Sequence, residues 1–247
     1  MDARQRWKVA LSWLKNYSTL PSTEEQCYTL LLALSSFSWS QGAAYNSDIT
    51  PLFSETPKVS YLTSYHIDCI AARIRDEHGA QHGSNATRHI FTTVDQFNAI
   101  LLFYGNVHTK KEGYHWENLM AIENRVIPGE VNSINGIIHL PEHWVSVVID
   151  FQQQQIYYGD SFGQPMPNRK RKACERWVEH LVNRSAVLAS GSVVGYRSLP
   201  TGYQEDSISC GLFALNSIGH HYLGHPILPS DPIPLARRRM EICVGHY

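Results

Sequence analysis

The sequence predicts an α+β domain, and three observations predict it: helical patterning before the middle of the chain, a cluster of strand patterns over residues 134–160, and helical patterning again after them. Ile67, Ile70, Ala71 and Ile74 recur at i, i+3, i+4 and i+7, the spacing of one buried helix face. Residues 134–140, 144–151 and 156–160 are apolar and rich in β-branched and aromatic side chains, with the polar run Gln152 to Gln155 as a hairpin connection. Residues 168–189 carry Trp177, Leu181 and Val182 on one side of a long amphipathic helix.

Taken in order, residues 4–18 read as a helix with Trp7, Leu11, Leu14 and Tyr17 near helical spacing. Pro21 and Ser22 open a second helix, with Ser22 and Glu25 as a capping box and an apolar body over 27–34. Residues 35–60 are rich in Ser, Thr, Gly and Pro and read as a loop. Thr63 or Ser64 caps the next helix, and Gly79 is placed to end it. A strand is expected over 89–94, then a short helix capped by Asp95 and stopped by Gly105. Residues 106–132 read as polar and irregular. Beyond the strand cluster and the long helix, 193–199 is expected to be a strand and 210–223 a helix, stopped by Gly224 and Pro226. A last helix is expected over 234–244. No Pro/Gly/Ser-rich linker interrupts residues 60–247, so the reading is one domain over 56–247 with an N-terminal helical extension over 1–55.

Bulk properties exclude several classes. A chain of 247 residues with 43% hydrophobic and 17% charged residues is folded rather than disordered. A formal net charge of -1 gives no overall nucleic-acid footprint. The basic runs at 169–172 and 237–239 read as solvated helix faces. No stretch of 18 consecutive apolar residues marks a membrane span, and the N-terminus lacks the pattern of a signal peptide. Five scattered cysteines with no CxxC pair suit free thiols in a reducing compartment, hence an intracellular protein of nucleus or cytoplasm. No HExxH is present. His221 with His225, and His66 with Cys69, have ligand-like spacing but no further ligands, so no metal is expected.

The candidate chemistry begins at Cys210. A polar loop, Gln204 to Ser209, delivers it to the first turn of an apolar helix, where unpaired N–H groups and the helix dipole favour a thiolate nucleophile. Gly211 beside it leaves room for a substrate backbone. A thiolate needs a base and the base an orienting partner. His143 opens one strand pattern and Asp160 ends the next. If those strands pair through the Gln-run hairpin, both side chains meet at one rim of the sheet, where the carboxylate can accept the Nδ1–H of the ring. Gln204, six positions before Cys210, offers an amide donor for a developing oxyanion together with the Cys210 N–H.

His143-Trp144, Gly159-Asp160-Ser161, and Gln204 followed by Cys210-Gly211, in that order, resemble the cysteine proteases of ubiquitin-like proteins, a group that includes the SUMO-specific proteases, the Ned8-specific protease and the adenovirus protease. Tyr61-Leu62-Thr63 and His66-Ile67-Asp68 look like that family's opening helix, so the resemblance spans roughly residues 55–224. It implies a papain-like fold of the ubiquitin-like-protease type, with a central, mainly antiparallel sheet flanked by helices. It implies His143 as general base, Asp160 as its orienter, Cys210 as nucleophile and Gln204 as oxyanion donor, with Trp144 part of a narrow tunnel for a Gly-Gly tail. The implied partners are a ubiquitin-like modifier (SUMO foremost, then ubiquitin and Ned8) and its conjugates, met by a monomer with no cofactor. Ser209 stands where SUMO proteases commonly carry Asp, which loosens the link to SUMO in particular. Two other readings compete: a Cys-dependent acetyltransferase on the same fold, and a catalytically inert module that only binds a ubiquitin-like protein.

Overall fold

A computed structural model of the protein describes residues 62–106, 109–188, 195–207 and 209–230. The elements expected over 4–18, 22–34 and 234–244, the loop over 35–60, the 1–55 extension and the basic run at 237–239 lie outside the described residues. Thr63–Leu228 form one compact unit, which contains all of the described helices and strands.

Helix α1 (Ser64–His82) begins at Thr63, whose N–H donates to His66 Nδ1 at 3.2 Å. It buries Ile67, Ile70, Ala71 and Ile74, the expected face. It passes through Gly79 and stops at Gly83, which takes φ 56°, because a helix interior tolerates glycine whereas a left-handed position selects it. A 3-10 turn (Gly83–Arg88) leads to the short strand β1 (His89–Phe91). Helix α2 (Val94–Gly105) is capped by Thr93 rather than Asp95. The Thr93 side chain accepts from the Gln96 N–H, and Gln96 accepts from the Thr93 N–H, which closes a capping box. Asp95 sits in the first turn, where its charge suits the helix dipole.

The expected irregular stretch contains a helix, α3 (Tyr114–Val126). Its buried stripe is Leu119, Ile122, Glu123 and Val126. A carboxylate at one of four buried positions hides the helical period. Strands β2 (Ser133–Leu140), β3 (His143–Asp150) and β4 (Gln155–Gly159) form antiparallel hairpins, as the sequence suggested. Helix α4 (Asn168–Arg184) follows, then β5 (Gly195–Ser198) and α5 (Cys210–Leu223), which Gly224 ends at φ 68°. The sheet has the order β1-β2-β3-β4-β5, with the outer pairs β1–β2 and β4–β5 parallel and the central pairs antiparallel.

Both faces of the sheet are covered. Val145, Val147 and Ile149 of β3 point into the main core with Phe97 and Ile100 of α2, Leu119 of α3, and Trp177 and Leu181 of α4. On the other face α5 lies along β3, with α1 packed beside it. Close approach there is a matter of small groups. A Cβ on Gly159 would meet Ser146 Oγ at 2.5 Å and Ser217 Oγ at 2.9 Å. Among the described residues no helix is long and apolar enough to cross a membrane.

Glu123 ties α3 to α2 and α4. Fully buried, it accepts from Tyr104 Oη at 2.9 Å, Trp177 Nε1 at 3.0 Å and Arg184 at 3.2 Å. Removing the carboxylate leaves two buried donors without an acceptor. Glu123→Ala is expected to cost about 3 kcal/mol, read as a lower urea midpoint at unchanged m-value.

Candidate active site

Cys210 is the first residue of α5, 1% exposed, behind the N-cap Ser209. The helix is already turned at that point, since Leu212 and Phe213 donate to the Ser209 carbonyl at 2.9 and 3.2 Å. Those two N–H groups are therefore spent, and the N–H groups of Cys210 and Gly211 have no acceptor within the helix. Gly211 is buried in that same turn.

His143 and Asp160 are placed by the β3–β4 ladder. Its last pair is Ser146 with Gly159. Continuing the register puts Asp160 level with Val145, on the same side as His143 and two residues short of it. Two residues span roughly 7 Å of strand, a gap that the His143 ring closes with its outer nitrogen. Nε2 lies 2.9 Å from Asp160 Oδ1. This corrects the expectation that Nδ1 would face the carboxylate: the carboxylate is too far along the strand for the nitrogen nearer the backbone. Nδ1 is buried and makes no hydrogen bond of standard geometry. It is the nitrogen left for Cys210, which sits close enough to act on the ring by polar contact and by charge.

Asp160 is held on every side. Besides His143, Oδ1 accepts from the Phe162 N–H at 2.7 Å, and Oδ2 accepts from Tyr158 Oη at 3.3 Å. Burial and the Asp160 charge push the Tyr158 phenol up, so it stays a neutral donor. Phe162 stacks on the His143 ring with centroids 4.7 Å apart and planes 24° from parallel. Burial by itself would depress the His143 pKa. Hydrogen bonding by Asp160 and Cys210, with their charges, outweighs it and pushes the ring up to about 9. Near neutral pH the imidazole is then a cation.

Gln204 is also buried, at 1% exposure. Its Oε1 accepts from Ser161 Oγ at 2.7 Å, and its Nε2 donates to the Asp206 carbonyl at 2.7 Å and to Asp206 Oδ1 at 3.2 Å. Its backbone N–H donates to the Ser161 carbonyl at 2.9 Å, which joins the loop before α5 to the segment after β4. Trp144 is 3% exposed and packs on His139, its cross-strand partner, with ring centroids 4.4 Å apart. The structure thus brings His143, Asp160 and Cys210 to one rim and ties Gln204 to the same rim through Ser161. Sequence reasoning gave no role to three side chains here. Ser161 and Phe162 adjoin Asp160. Asp206 stands three residues before Ser209, a spacing at which a side-chain carboxylate caps a backbone N–H, and that spacing was the available signal.

Other candidates assemble nothing. Among the described residues no three His, Cys, Asp or Glu side chains are arranged to hold a metal ion. His225 instead pairs with Glu77 at 3.1 Å, and His66 belongs to the start of α1.

Comparison with known proteins gives a consistent answer. Residues 60–241 match the model of the Ulp1 protease family, C-terminal catalytic domain. Sequence comparison with curated proteins gives no match. Among solved structures, the catalytic domain of the Chaetomium thermophilum Ulp1-like SUMO protease superposes with a TM-score of 0.65 at 14% identity, covering 93% of this chain and 90% of that one. SUMO protease Ulp1 with its catalytic cysteine oxidised to a sulfinic acid gives 0.61 at 16% identity, covering 92% and 96%. The C-terminal Ulp1 protease domain in complex with Smt3, the yeast ortholog of SUMO, gives 0.59 at 12% identity, covering 92% and 96%. At these identities the likeness is one of fold.

The charge balance at His143 can be titrated. Its folded pKa lies above the ordinary 6.5. The ring therefore adds stability that is fully present below pH 6.5 and is lost as pH rises through about 9. NMR titration of the His143 ring is expected to give a midpoint near 9 in the native protein and a clearly lower one in Asp160→Asn, with the alkaline loss of stability reduced in the variant.

Proposed function

Because the chain belongs to the Ulp1 protease family and carries a cysteine peptidase domain, we propose that it hydrolyses the peptide or isopeptide bond after the C-terminal Gly-Gly of a ubiquitin-like modifier, with SUMO as the first candidate. The observation that carries this reading is the His143 ring, bound to Asp160 through Nε2 at 2.9 Å and close enough to Cys210 to be affected by it.

In this mechanism the Cys210 thiolate attacks the carbonyl carbon of the terminal glycine. The carbonyl electrons move to the oxygen, which the Cys210 N–H and the Gln204 amide stabilise. Protonated His143 gives its proton to the leaving amine, the C–N bond breaks and a thioester remains. Neutral His143 then takes a proton from water, whose oxygen attacks the thioester, and the thiolate departs with the modifier's carboxylate as product. Asp160 keeps the ring oriented and stabilises its cationic form throughout. The Gly-Gly requirement would have a steric cause: in a narrow tunnel lined by Trp144, only glycine lacks the Cβ that would jam against the aromatic ring.

The test is a panel of SUMO, Ned8 and ubiquitin probes bearing a C-terminal electrophile, run beside hydrolysis of the matching Gly-Gly fluorogenic substrates. SUMO is expected to label Cys210 most strongly. Cys210→Ala and His143→Ala are expected to abolish turnover, and Asp160→Asn to lower kcat by about 10³-fold or more. Substantial cleavage by Cys210→Ala would place the nucleophile elsewhere and end the proposal.

A further inference from the structure

The side-chain amide of Gln204 is gripped at both ends by groups outside the triad. Ser161 Oγ lies 2.7 Å from Oε1, and the Asp206 carbonyl and Oδ1 lie 2.7 and 3.2 Å from Nε2. The two ends are not equivalent. Both Asp206 atoms are pure acceptors, so a flipped amide would set its own oxygen against two oxygens. A serine hydroxyl can donate or accept, so Ser161 alone would leave the orientation open. Asp206 therefore decides which end is nitrogen, and Ser161, compelled to donate, fixes the oxygen. One amide hydrogen can serve both Asp206 acceptors, which lie on one residue. With one hydrogen shared in that way, the second would be available to an oxyanion.

The same carboxylate also shapes the loop that carries the nucleophile. Asp206 Oδ1 accepts from the Ser209 N–H at 2.6 Å, and Oδ2 accepts from Ser209 Oγ at 2.6 Å. Ser209 is the residue before Cys210 and the cap of α5. Ser161 for its part follows Asp160, the partner of His143. The amide is thus tied to the nucleophile through Asp206 and to the orienting carboxylate through Ser161. All of these groups are buried except the partly exposed Asp206.

We propose that Ser161 and Asp206 are positioning residues that lock the Gln204 amide in the single orientation able to offer an N–H to the oxyanion. The proposal rests on the peptidase reading for its chemistry, but its test uses two small reagents that need no modifier. Hydrolysis of p-nitrophenyl acetate needs both a thiolate and an oxyanion donor. Alkylation by iodoacetamide displaces iodide from a saturated carbon and needs the thiolate alone.

Ser161→Ala and Asp206→Ala are expected to lower the kcat of Cys210-dependent ester hydrolysis by about 10- to 100-fold, part of what loss of an oxyanion donor costs, with KM little changed. In Ser161→Ala, which leaves the contacts of Asp206 with Ser209 in place, the alkylation rate of Cys210 and its pH profile are expected to stay as in the native protein. Asp206→Asn, which keeps an accepting oxygen, is expected to recover much of the loss, and Gln204→Ala in a Ser161→Ala background to add little to either single change. Alkylation falling in step with ester hydrolysis in Ser161→Ala would show general damage to the loop and overturn the proposal. So would unchanged ester hydrolysis in both alanine variants, fully additive losses, or no Cys210-dependent ester hydrolysis in the native protein. Ester hydrolysis that behaves as expected, while no modifier is cleaved, would sink the substrate assignment and leave this inference standing.

Discussion

The pairing of Ser146 with Gly159 governs the geometry of the whole candidate site, and it does so twice. As the last rung of the β3–β4 ladder it sets how far Asp160 lies from His143, and hence which ring nitrogen meets the carboxylate. A slip of one residue would send Asp160 to the opposite face of the sheet. The same rung carries no side chain at Gly159 and only a hydroxymethyl at Ser146, so Ser217 of α5 can lie directly over it. Any Cβ there would lift the helix whose first residue is Cys210. Register and helix approach, two quantities that could vary independently, are coupled by one small residue.

The second constraint is electrostatic. A buried carboxylate beside a half-buried imidazole is costly unless every lone pair finds a donor. Asp160 meets that demand with the His143 ring, the Phe162 N–H and the Tyr158 hydroxyl. Once satisfied, it holds a fixed negative charge against the ring. That charge, aided by Cys210, overcomes the burial that would otherwise keep the ring neutral. Phe162 covers one face of the ring and limits its rotation without adding charge.

Legibility in the sequence depends on which interactions are periodic. The strands over 134–160 and the buried face of α1 could be read because apolar spacing records them directly, and the meeting of His143 with Asp160 because both fall at strand ends. Helix α3 escaped because Glu123 occupies a core position. Its carboxylate is satisfied by Tyr104, Trp177 and Arg184, partners contributed by other helices and invisible to any local pattern. The choice of Thr93 over Asp95 as cap turned on which side chain the Gln96 N–H could reach, a matter of two residues. The His143 nitrogen was misassigned because the sequence pairs the two strands without fixing their register, and it is the register that sets the offset of Asp160 from His143.

Catalytic groups carried on loops need rigid supports, since a displacement of an ångström at the reacting atoms costs much of the rate. Here the supports are two aspartates with parallel tasks. Asp160, just beyond β4, binds a side chain on β3 and a backbone N–H of its own turn. Asp206, in the loop before α5, binds Gln204 and both the N–H and the hydroxyl of Ser209. Ser161 joins the two systems through Gln204, by side chain and by backbone. The loop from Gln204 to Cys210 is therefore anchored at both ends: to the sheet at its start and to the helix N-terminus at its finish. Ser209 fits this scheme because a short hydroxyl can donate to Asp206. An acidic residue at that position would set two carboxylates against each other unless the residue at 206 changed as well, so the residues at 206 and 209 are expected to be chosen as a pair.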